Sequence, residues 1–238
     1  MNKELIMSEN KVLESIVEQI NLRLTEICSL RQDFTKKEDD SFVSKGDLLV
    51  QDIVVDLINK NLPDHNVISE EDAPFESVDF DETSSYVIID PIDGTENFVS
   101  GLKEWGVGVS IYTKGKHVGS LIHLPELNDF LMTGMKTDKY KSRIIGLSSS
   151  LTKSDLIELP DDGFEYRIIG CSMYNMLSAV RGAYARFENV KGVNCWDVLP
   201  GLNLALEHGT YAEVDGSPYS GQILFPTRKY KIKLSSEG

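Results

Sequence analysis

Apolar residues near the N-terminus recur at intervals of four, three, four and three, the spacing of one helix face: Leu13, Val17, Ile20, Leu24 and Ile27. This spacing predicts an amphipathic helix over residues 8–30. The apolar stripe is expected to pack into the core and not to bind a partner. A second helix is predicted over residues 48–61, and it stops near Pro63.

The rest of the chain alternates between strand and helix patterns. Strands are predicted at 67–68 and 86–89, followed by an antiparallel meander at 107–112, 118–122 and 130–132. The second half is predicted as strands at 143–147, 166–169 and 211–214 and helices at 173–182 and 198–207. Segments 36–40 and 73–85 are predicted as polar loops. This mixture predicts an α/β or α+β fold of layered sheets and helices.

We expect one domain covering residues 1–238. The polar segment 136–141 is predicted to separate two subdomains, approximately 1–135 and 142–238. The first would carry most of the candidate chemistry, and the second would carry the substrate rim and a final acidic ligand.

The net charge of the chain restricts which kinds of partner it can bind. The chain has 24 basic and 38 acidic residues, so its formal net charge is −14. Nucleic-acid polymers and anionic membranes both require basic surfaces, and we expect neither as a partner. A small phosphorylated substrate remains compatible, because bound cations can reverse the local field.

The sequence also indicates a cytoplasmic protein. It has no apolar run of bilayer-spanning length, and its N-terminus lacks the apolar core of a signal peptide. Cys28, Cys171 and Cys195 lack metal-like spacing and are expected to be reduced and buried. The histidines also lack ligand spacing, and structural roles are expected for them: His65, His117, His123 and His208.

A nine-residue run at 90–98, with the sequence DPIDGTENF, carries the most specific chemical signal. Asp90 and Asp93 lie where a predicted strand ends, and carboxylates at such an edge can hold hard divalent cations. Gly94 and Thr95 follow at a possible helix start, where free backbone N–H groups can hold a phosphate. The run therefore favours metal-assisted chemistry on a phosphate ester.

Pro91 is expected to determine how the two carboxylates are placed. Successive strand residues point to opposite faces, but Pro91 has no N–H for the ladder and is predicted to end the strand at Asp90. Asp90 and Asp93 can then converge above the strand's C-terminal edge. A proline turn with acidic caps is the structural alternative.

Other acidic residues could complete a cation site. The acids at 70–72 follow a predicted strand and, read alone, form a solvated loop. Beside Asp90, Glu70 would supply one of the several carboxylates that a two-metal site needs. Asp197 begins a predicted helix, where capping alone is a sufficient reason for an aspartate. A cluster of these like charges would predict bound metal.

Asp47 has two interpretations that the sequence leaves open. It lies at the start of the second predicted helix, where it could be an N-cap residue. Alternatively, it pairs with the hydroxyl of Thr95, and the two groups orient and deprotonate an attacking water.

These segments, in this order, resemble the inositol monophosphatase family, the Mg²⁺-dependent, lithium-sensitive phosphatases. The resemblance rests on residues 45–48, 63–71, 90–98, 170–172 and 196–209. It implies a layered α/β/α/β/α sandwich of the sugar-phosphatase type, and a homodimer is expected because family members often form dimers.

The resemblance also implies roles for individual residues. The metal ligands would be Glu70, Asp90, Asp93, Asp197 and the backbone carbonyl of Ile92, holding two or three Mg²⁺ ions. The catalytic residues would be Asp47, Thr95 and Glu70. The substrate-binding residues would be Asp93, Gly94, Thr95, Ser172, Glu188 and Asp197.

The chain departs from the family pattern around the substrate rim. Residues 199–201, Leu-Pro-Gly, follow Asp197 where the family has two small residues and a glycine. The usual threonine is missing near Asp47, and a Gly-rich segment is missing around 134–150. The usual small-residue strand and final helix are missing after Phe225. We therefore expect an intact catalytic centre and an altered rim.

The predicted activity is a Mg²⁺-dependent phosphomonoesterase that hydrolyses a small polyol or sugar phosphate by direct attack of an activated water. One alternative is a 3′(2′),5′-bisphosphate nucleotidase acting on 3′-phosphoadenosine 5′-phosphate, because residues 184–187 resemble that branch and a basic residue there could meet a second phosphate. A further alternative is a non-catalytic family member that binds phosphate or metal.

Overall fold

The computed structural model describes residues 3–37, 41–73, 75 and 80–236, with side chains described from Glu9 onward. The helices are α1 (Lys3–Ser29), α2 (Lys45–Asn61), α3 (Thr95–Val99), α4 (Lys153–Ile157), α5 (Ser172–Val180) and α6 (Cys195–Glu207). The first strands are β1 (Phe34–Lys36), β2 (Phe42–Ser44), β3 (Asn66–Ser69), β4 (Tyr86–Asp93), β5 (Gly106–Thr113), β6 (Lys116–Leu124) and β7 (Asp129–Met132). The later strands are β8 (Ile144–Leu147), β9 (Glu165–Ile168), β10 (Arg186–Val193), β11 (Tyr211–Val214), β12 (Ser217–Pro218) and β13 (Tyr230–Ser235).

Two large sheets form the frame. The five-stranded sheet has the order β3-β4-β5-β6-β7, with β3 and β4 parallel and the remaining pairs antiparallel. The six-stranded sheet has the order β12-β11-β13-β10-β8-β9, with parallel pairs at β10-β8 and β8-β9. β1 and β2 form a separate hairpin. The mixed architecture agrees with the predicted α/β sandwich.

The five-stranded sheet is covered on both faces. Val87 and Ile89 of β4 belong to a core shared with α1 and α2. Tyr86 and Ile88 point the other way, into a core shared with α5, α6 and the six-stranded sheet. Because both faces of β4 are buried, its apolar residues run continuously instead of alternating with polar ones.

Most elements predicted from hydrophobic spacing are confirmed. These are α1, α2, α5, α6, β3, β4, β8, β9, β11 and the meander of β5, β6 and β7. The predicted loop at 36–40 is partly wrong, because Lys36 ends β1 of a hairpin, and residues 38–40 lie outside the described residues. In the predicted loop 73–85, residues 74 and 76–79 also lie outside them. The elements that were not predicted are β1, β2, α4, β10, β12 and β13.

The prediction that Pro91 ends the strand is wrong. β4 continues to Asp93, and its pairing with β5 joins Asp90 to Gly108 and then Asp93 to Gly106. The register shifts between these two pairs. Pro91 therefore falls in the irregular part of the ladder, where its missing N–H breaks no regular pairing.

A strand follows Phe225, where only the absence of the family's usual small-residue strand was expected. β13 lies between β11 and β10 in the six-stranded sheet and pairs antiparallel with both. Its alternating residues Tyr230, Ile232 and Leu234 are buried. They are large apolar residues, so a rule that required small residues could not detect the strand.

No described helix combines the length and the apolar character needed to cross a bilayer. Cys171 and Cys195 are buried, Cys28 is partly buried, and all three are free thiols.

Burial keeps two histidines of β6 neutral. Removal from water lowers the pKa of His117 and of His123 to about 4 each. His117 Nε2 lies 2.8 Å from Ser120 Oγ, whereas His123 Nδ1 is buried without a hydrogen-bond partner among the described residues. Unfolded histidine titrates near pH 6.5. The unfolded chain therefore takes up these protons at higher pH than the folded chain, and stability falls as the pH drops from about 6.5 towards 4.

We expect His123→Gln to reduce this pH dependence. Between about pH 7 and about pH 4.5, wild type should lose about 2–3 kcal/mol more unfolding free energy than the variant. Urea denaturation at a series of pH values measures the unfolding free energy of wild type and of the variant. The other titrating groups are common to the two proteins, so the difference reports His123. Parallel pH profiles would contradict the assignment.

Candidate active site

Three acidic side chains meet although they come from separate elements. Glu70 follows β3, Asp90 lies in β4, and Asp197 lies in the first turn of α6. Each offers a carboxylate oxygen, and these oxygens lie within 4.8 Å of one another. β3 and β4 are parallel neighbours, which brings Glu70 close to Asp90. α6 packs against β4 on the face opposite α1 and α2, and it supplies Asp197.

The electrostatics of this cluster fit a bound cation. Both Asp90 carboxylate oxygens are buried, and neither has a hydrogen-bond donor among the described residues. Burial and the neighbouring carboxylates raise the pKa of Asp90 well above its usual value. Burial first, and then the charge of Asp197, raises the pKa of Glu70 to about 8, and burial and Asp93 raise that of Asp197 to about 7. Such a cluster requires shared protons or a hard cation with oxygen ligands.

Asp93 lies beside the cluster and is held by α5. Its Oδ2 accepts a hydrogen bond from Cys171 Sγ at 3.0 Å and from the backbone N–H of Met173 at 2.5 Å. Burial raises the pKa of Asp93, and the Cys171 and Met173 donors oppose that rise. Asp93 lines the same cavity as Glu70 and Asp197. Its carboxylate is not within the tight group formed by the other three.

Asp47 completes a capping box and contacts Thr95. Ser44 is the N-cap of α2, and Asp47 Oδ2 accepts from the Ser44 N–H at 2.8 Å and from its hydroxyl at 2.5 Å. Thr95 Oγ1 lies 3.2 Å from the other oxygen, Oδ1, and 3.0 Å from the carbonyl oxygen of Ile92. The N-cap interpretation of Asp47 is therefore wrong, because Ser44 is the N-cap and Asp47 lies three residues later, where it completes the capping box. The contact with Thr95 agrees with the pairing of the other interpretation.

Two glycines allow close packing around α3: one lets the residue before α3 approach Cys171, and the other lets the start of α2 approach α3. Gly94 precedes α3 at φ 83°, and a Cβ there would lie 3.0 Å from Cys171 Cβ. At Gly46, beside Asp47, a Cβ would lie 2.7 Å from the ring of Phe98 on α3. The start of α2 thus packs directly on α3, which sets the separation of Asp47 and Thr95.

A lysine compensates part of the acidic charge. Lys37 Nζ lies 2.7 Å from Glu71 Oε2 and 3.4 Å from Glu70 Oε1. Glu71 is mostly buried, whereas Glu70 keeps 22% of its side chain exposed. Lys37 therefore offsets the charge of Glu71 more directly than that of Glu70.

Glu70, Asp93 and Asp197 line a cavity of about 390 Å³. Ser172 lines the cavity, and its role as a substrate-binding residue stays a prediction. Glu188 does not line the cavity, because Phe187 and Asn189 of β10 face it and the alternation of the strand turns Glu188 to the opposite side. There Glu188 Oε1 lies 3.1 Å from Arg186 Nε. We therefore leave Glu188 out of the proposed substrate-binding residues.

Several residues of this site were missed from the sequence: Ser44, Lys37, Cys171, Asn175 and Lys229. Ser44 could have been found, because Ser-Lys-Gly-Asp has the spacing of a capping box. Cys171 lies in segment 170–172, which carried the resemblance, but its contact with Asp93 was not predicted. Lys37, Asn175 and Lys229 carry no local signal, since their positions depend on contacts between distant segments.

A family model described as the inositol monophosphatase family matches residues 9–147. The chain belongs to the inositol monophosphatase family. The match includes Asp47, Glu70 and the run 90–98, whereas Asp197 lies beyond it.

Relatives at the sequence level carry two kinds of name. Nus factor SuhB of Pasteurella multocida is 25% identical over 197 residues, covering 74% of this chain and 72% of that protein. A shorter match to SuhB of Escherichia coli strain K12, 30% identical over 95 residues, covers 40% of this chain and 34% of that protein. Fructose-1,6-bisphosphatase/inositol-1-monophosphatase of Thermotoga maritima is 26% identical over 183 residues, covering 70% of this chain and 69% of that protein.

Solved structures share the fold over nearly the whole chain. Staphylococcal inositol monophosphatase-1 aligns with a TM-score of 0.81 at 18% identity, covering 98% of this chain and 91% of that one. An IMPase/NADP phosphatase complexed with Mg²⁺ and phosphate aligns with a TM-score of 0.79 at 19% identity, covering 98% and 92%.

We expect Asp90→Asn to stabilise the protein when divalent cations are chelated. The substitution removes one buried like charge, and thermal unfolding should show a gain of about 1–3 kcal/mol over wild type. With Mg²⁺ at about 100 times its dissociation constant, wild type should gain about 2.7 kcal/mol, and the variant should gain clearly less.

Asp56→Asn is the matched control, because Asp56 is exposed on α2 and the chemical change is the same. It should leave both responses unchanged. An Asp90 variant that is stabilised by Mg²⁺ as strongly as wild type would contradict a cation site at this cluster.

Proposed function

We propose that the protein is a Mg²⁺-dependent phosphomonoesterase that acts on a small polyol or sugar phosphate. The observation that carries this proposal is the Asp90 carboxylate, buried without a donor between Glu70 and Asp197. Next to it lies the Asp47–Thr95 hydrogen bond, which is a group suited to orient water.

In this proposal the cations are held by the acidic cluster together with Asp93 and the backbone carbonyl of Ile92. When bound, they supply Lewis-acid polarisation of the phosphoryl oxygens and lower the pKa of water. The oxygen-only donors Glu70, Asp90 and Asp197 suit Mg²⁺, which prefers hard ligands. Asp93, Gly94 and Thr95 are proposed to contact the phosphoryl group from the start of α3.

The remaining residues of the proposed mechanism orient water and move its proton. Thr95 Oγ1–H can donate a hydrogen bond to Asp47 Oδ1, which leaves the hydroxyl oxygen free to accept one from the attacking water. As the water attacks, its proton would pass to Thr95 Oγ1 and the threonine proton would pass to Asp47 Oδ1. Ser44 holds the other oxygen of Asp47, so this acceptor is fixed before substrate arrives. Burial raises the pKa of Asp47, which strengthens it as a proton acceptor. No covalent phosphoenzyme is needed.

The chemistry of the cavity favours a polyol or sugar leaving group over a nucleotide. Ser148, Ser149 and Ser150 form part of its wall and can bond to hydroxyl groups. Arg186, the basic residue considered for a second phosphate, does not line the cavity and lies beside Glu188. The Thermotoga relative carries both sugar-bisphosphatase and inositol-monophosphatase names, which fits the same broad class.

A non-catalytic role is the other candidate, and the SuhB relatives are named Nus factors. The Asp47–Thr95 pair argues against it. A protein that only binds phosphate or metal has less need of a buried acceptor in contact with a hydroxyl beside the cation site.

The direct test is phosphate release from a panel of phosphomonoesters with Mg²⁺ and with a chelator. We expect Mg²⁺-dependent turnover of an aryl phosphate and of at least one polyol or sugar phosphate. Turnover restricted to 3′-phosphoadenosine 5′-phosphate would favour the nucleotidase. Mg²⁺ binding without turnover of any ester would favour the non-catalytic alternative.

Thr95→Ala separates catalysis from cation binding. We expect kcat to fall by about 10²–10⁴, the usual contribution of a positioned acid–base group, while stabilisation by Mg²⁺ is retained. Glu188→Gln is the control, because Glu188 faces away from the cavity, and its kcat should stay within about twofold of wild type. Equal kcat values for Thr95→Ala and wild type would remove Thr95 from the mechanism.

A further inference from the structure

The short turn that carries Glu70 is held at both ends by one side chain of α2. The Ser69 hydroxyl donates to Gln51 Oε1 at 2.5 Å, and Gln51 Nε2 donates to Asp72 Oδ1 at 3.2 Å. Ser69 is buried and directly precedes Glu70, whereas Asp72 is the last residue of the 3₁₀ turn that Glu70 begins. The Gln51 amide therefore spans this turn, with one contact before Glu70 and one after it.

The five-stranded sheet does not fix Glu70 by itself. The pairing of β3 with β4 ends where Ser69 faces Ile89, so Glu70 is the first residue beyond the ladder. The Glu70 carboxylate contacts Lys37 Nζ at 3.4 Å, which is long for a hydrogen bond between charged groups. A carboxylate held this loosely depends on its backbone for its position, and Gln51 anchors the backbone on both sides of it.

Gln51 also connects Glu70 to the Asp47–Thr95 pair. It lies four residues after Asp47 on α2, and residues at this spacing lie on the same face of a helix. Asp47 contacts Thr95, whereas Gln51, about one turn later, contacts the turn of Glu70. One helix therefore sets the position of Glu70 relative to the Asp47–Thr95 pair.

We propose that Gln51 is a positioning residue that holds Glu70 in place for cation binding. This inference rests on the cation site of the proposed function and extends it to a residue that does not line the cavity. Residues that orient metal ligands through hydrogen bonds usually contribute about 10- to 100-fold to metal affinity. Gln51 acts through the turn and not on the carboxylate itself, so we expect the lower end of this range.

Gln51→Met tests the two hydrogen bonds while keeping most of the side-chain volume. Methionine has a similar length and a high helix propensity, but it lacks the amide donor and acceptor. We expect the dissociation constant of Mg²⁺, measured by calorimetric titration without substrate, to rise about tenfold. At saturating Mg²⁺ we expect kcat to change less than about threefold, because bound Mg²⁺ draws Glu70 back into the site. A general loss of folded protein would instead lower the apparent kcat and leave the dissociation constant unchanged.

Ser69→Ala provides an independent check on the same contact. It removes one of the two partners of Gln51, so we expect a smaller rise in the dissociation constant of Mg²⁺. Two changes that break the same contact do not have additive effects. The double variant Gln51→Met/Ser69→Ala should therefore bind Mg²⁺ as Gln51→Met does. Full additivity of the two changes would overturn the inference.

Gln19→Met is the matched control. Gln19 is a partly buried glutamine on α1 outside the cavity lining, and the chemical change is the same. Its dissociation constant for Mg²⁺ should equal that of wild type. An unchanged dissociation constant in Gln51→Met, or an equal rise in Gln51→Met and Gln19→Met, would also overturn the inference.

Failure of the proposed function gives a different result. If wild type binds Mg²⁺ but hydrolyses no ester, the phosphatase proposal fails, and weaker Mg²⁺ binding by Gln51→Met still supports the inference. If wild type hydrolyses esters and Gln51→Met binds Mg²⁺ as wild type does, only the inference fails. A wild-type protein that binds no Mg²⁺ overturns both.

Discussion

Repulsion between carboxylates removed from water is the constraint on which this structure depends. Each carboxylate except Asp90 has a donor that fixes one oxygen: Lys37 for Glu70, the Asn194 N–H for Asp197 at 2.9 Å, and Cys171 with Met173 for Asp93. Asp90 has none among the described residues. The fold holds the outer acids in place and leaves the central one uncompensated. A cation bound there would stabilise the whole group at once.

The first turns of two helices hold two of the acidic side chains in place. Asp47 and Asp197 occupy equivalent positions in the first turns of α2 and α6, three residues after Ser44 and Asn194. In both cases one carboxylate oxygen accepts the N–H of the N-cap residue. The other oxygen of Asp47 reaches Thr95, and Asp197 offers an oxygen to the acidic cluster. A capping carboxylate is held in one orientation, so the same bond that begins the helix also fixes a carboxylate of the candidate site.

Because one carboxylate can both cap a helix and belong to the candidate site, the sequence could predict only part of the site. Hydrophobic spacing was sufficient for α1 and α2, which each bury one face, whereas α5, α6 and the meander were detected as apolar segments that are buried on most sides. The run at 90–98 located the site, but spacing could not decide whether Asp47 and Asp197 are caps or functional groups, since they can be both. The prediction for Glu188 depended on which face of β10 its side chain occupies. β10 has polar and apolar residues in no clear alternation, and it was not predicted as a strand. A shift of one residue along a strand moves a side chain to the other face.

The two large sheets contribute different parts of the candidate site. β3 and β4 supply Glu70, Asp90 and Asp93, while the loops and helices around the six-stranded sheet supply much of the cavity wall. α5 connects the two, because Cys171 binds Asp93 while Asn175 lines the cavity. Under the proposed function, changes of sequence around the wall would alter which alcohol fits without moving Asp90. Changes at the start of α5 act on both, since its first turn orients Asp93. Two of the departures from the family pattern reach the wall, because Ser148, Ser149, Ser150 and Lys229 line the cavity, whereas residues 90–98 keep the motif.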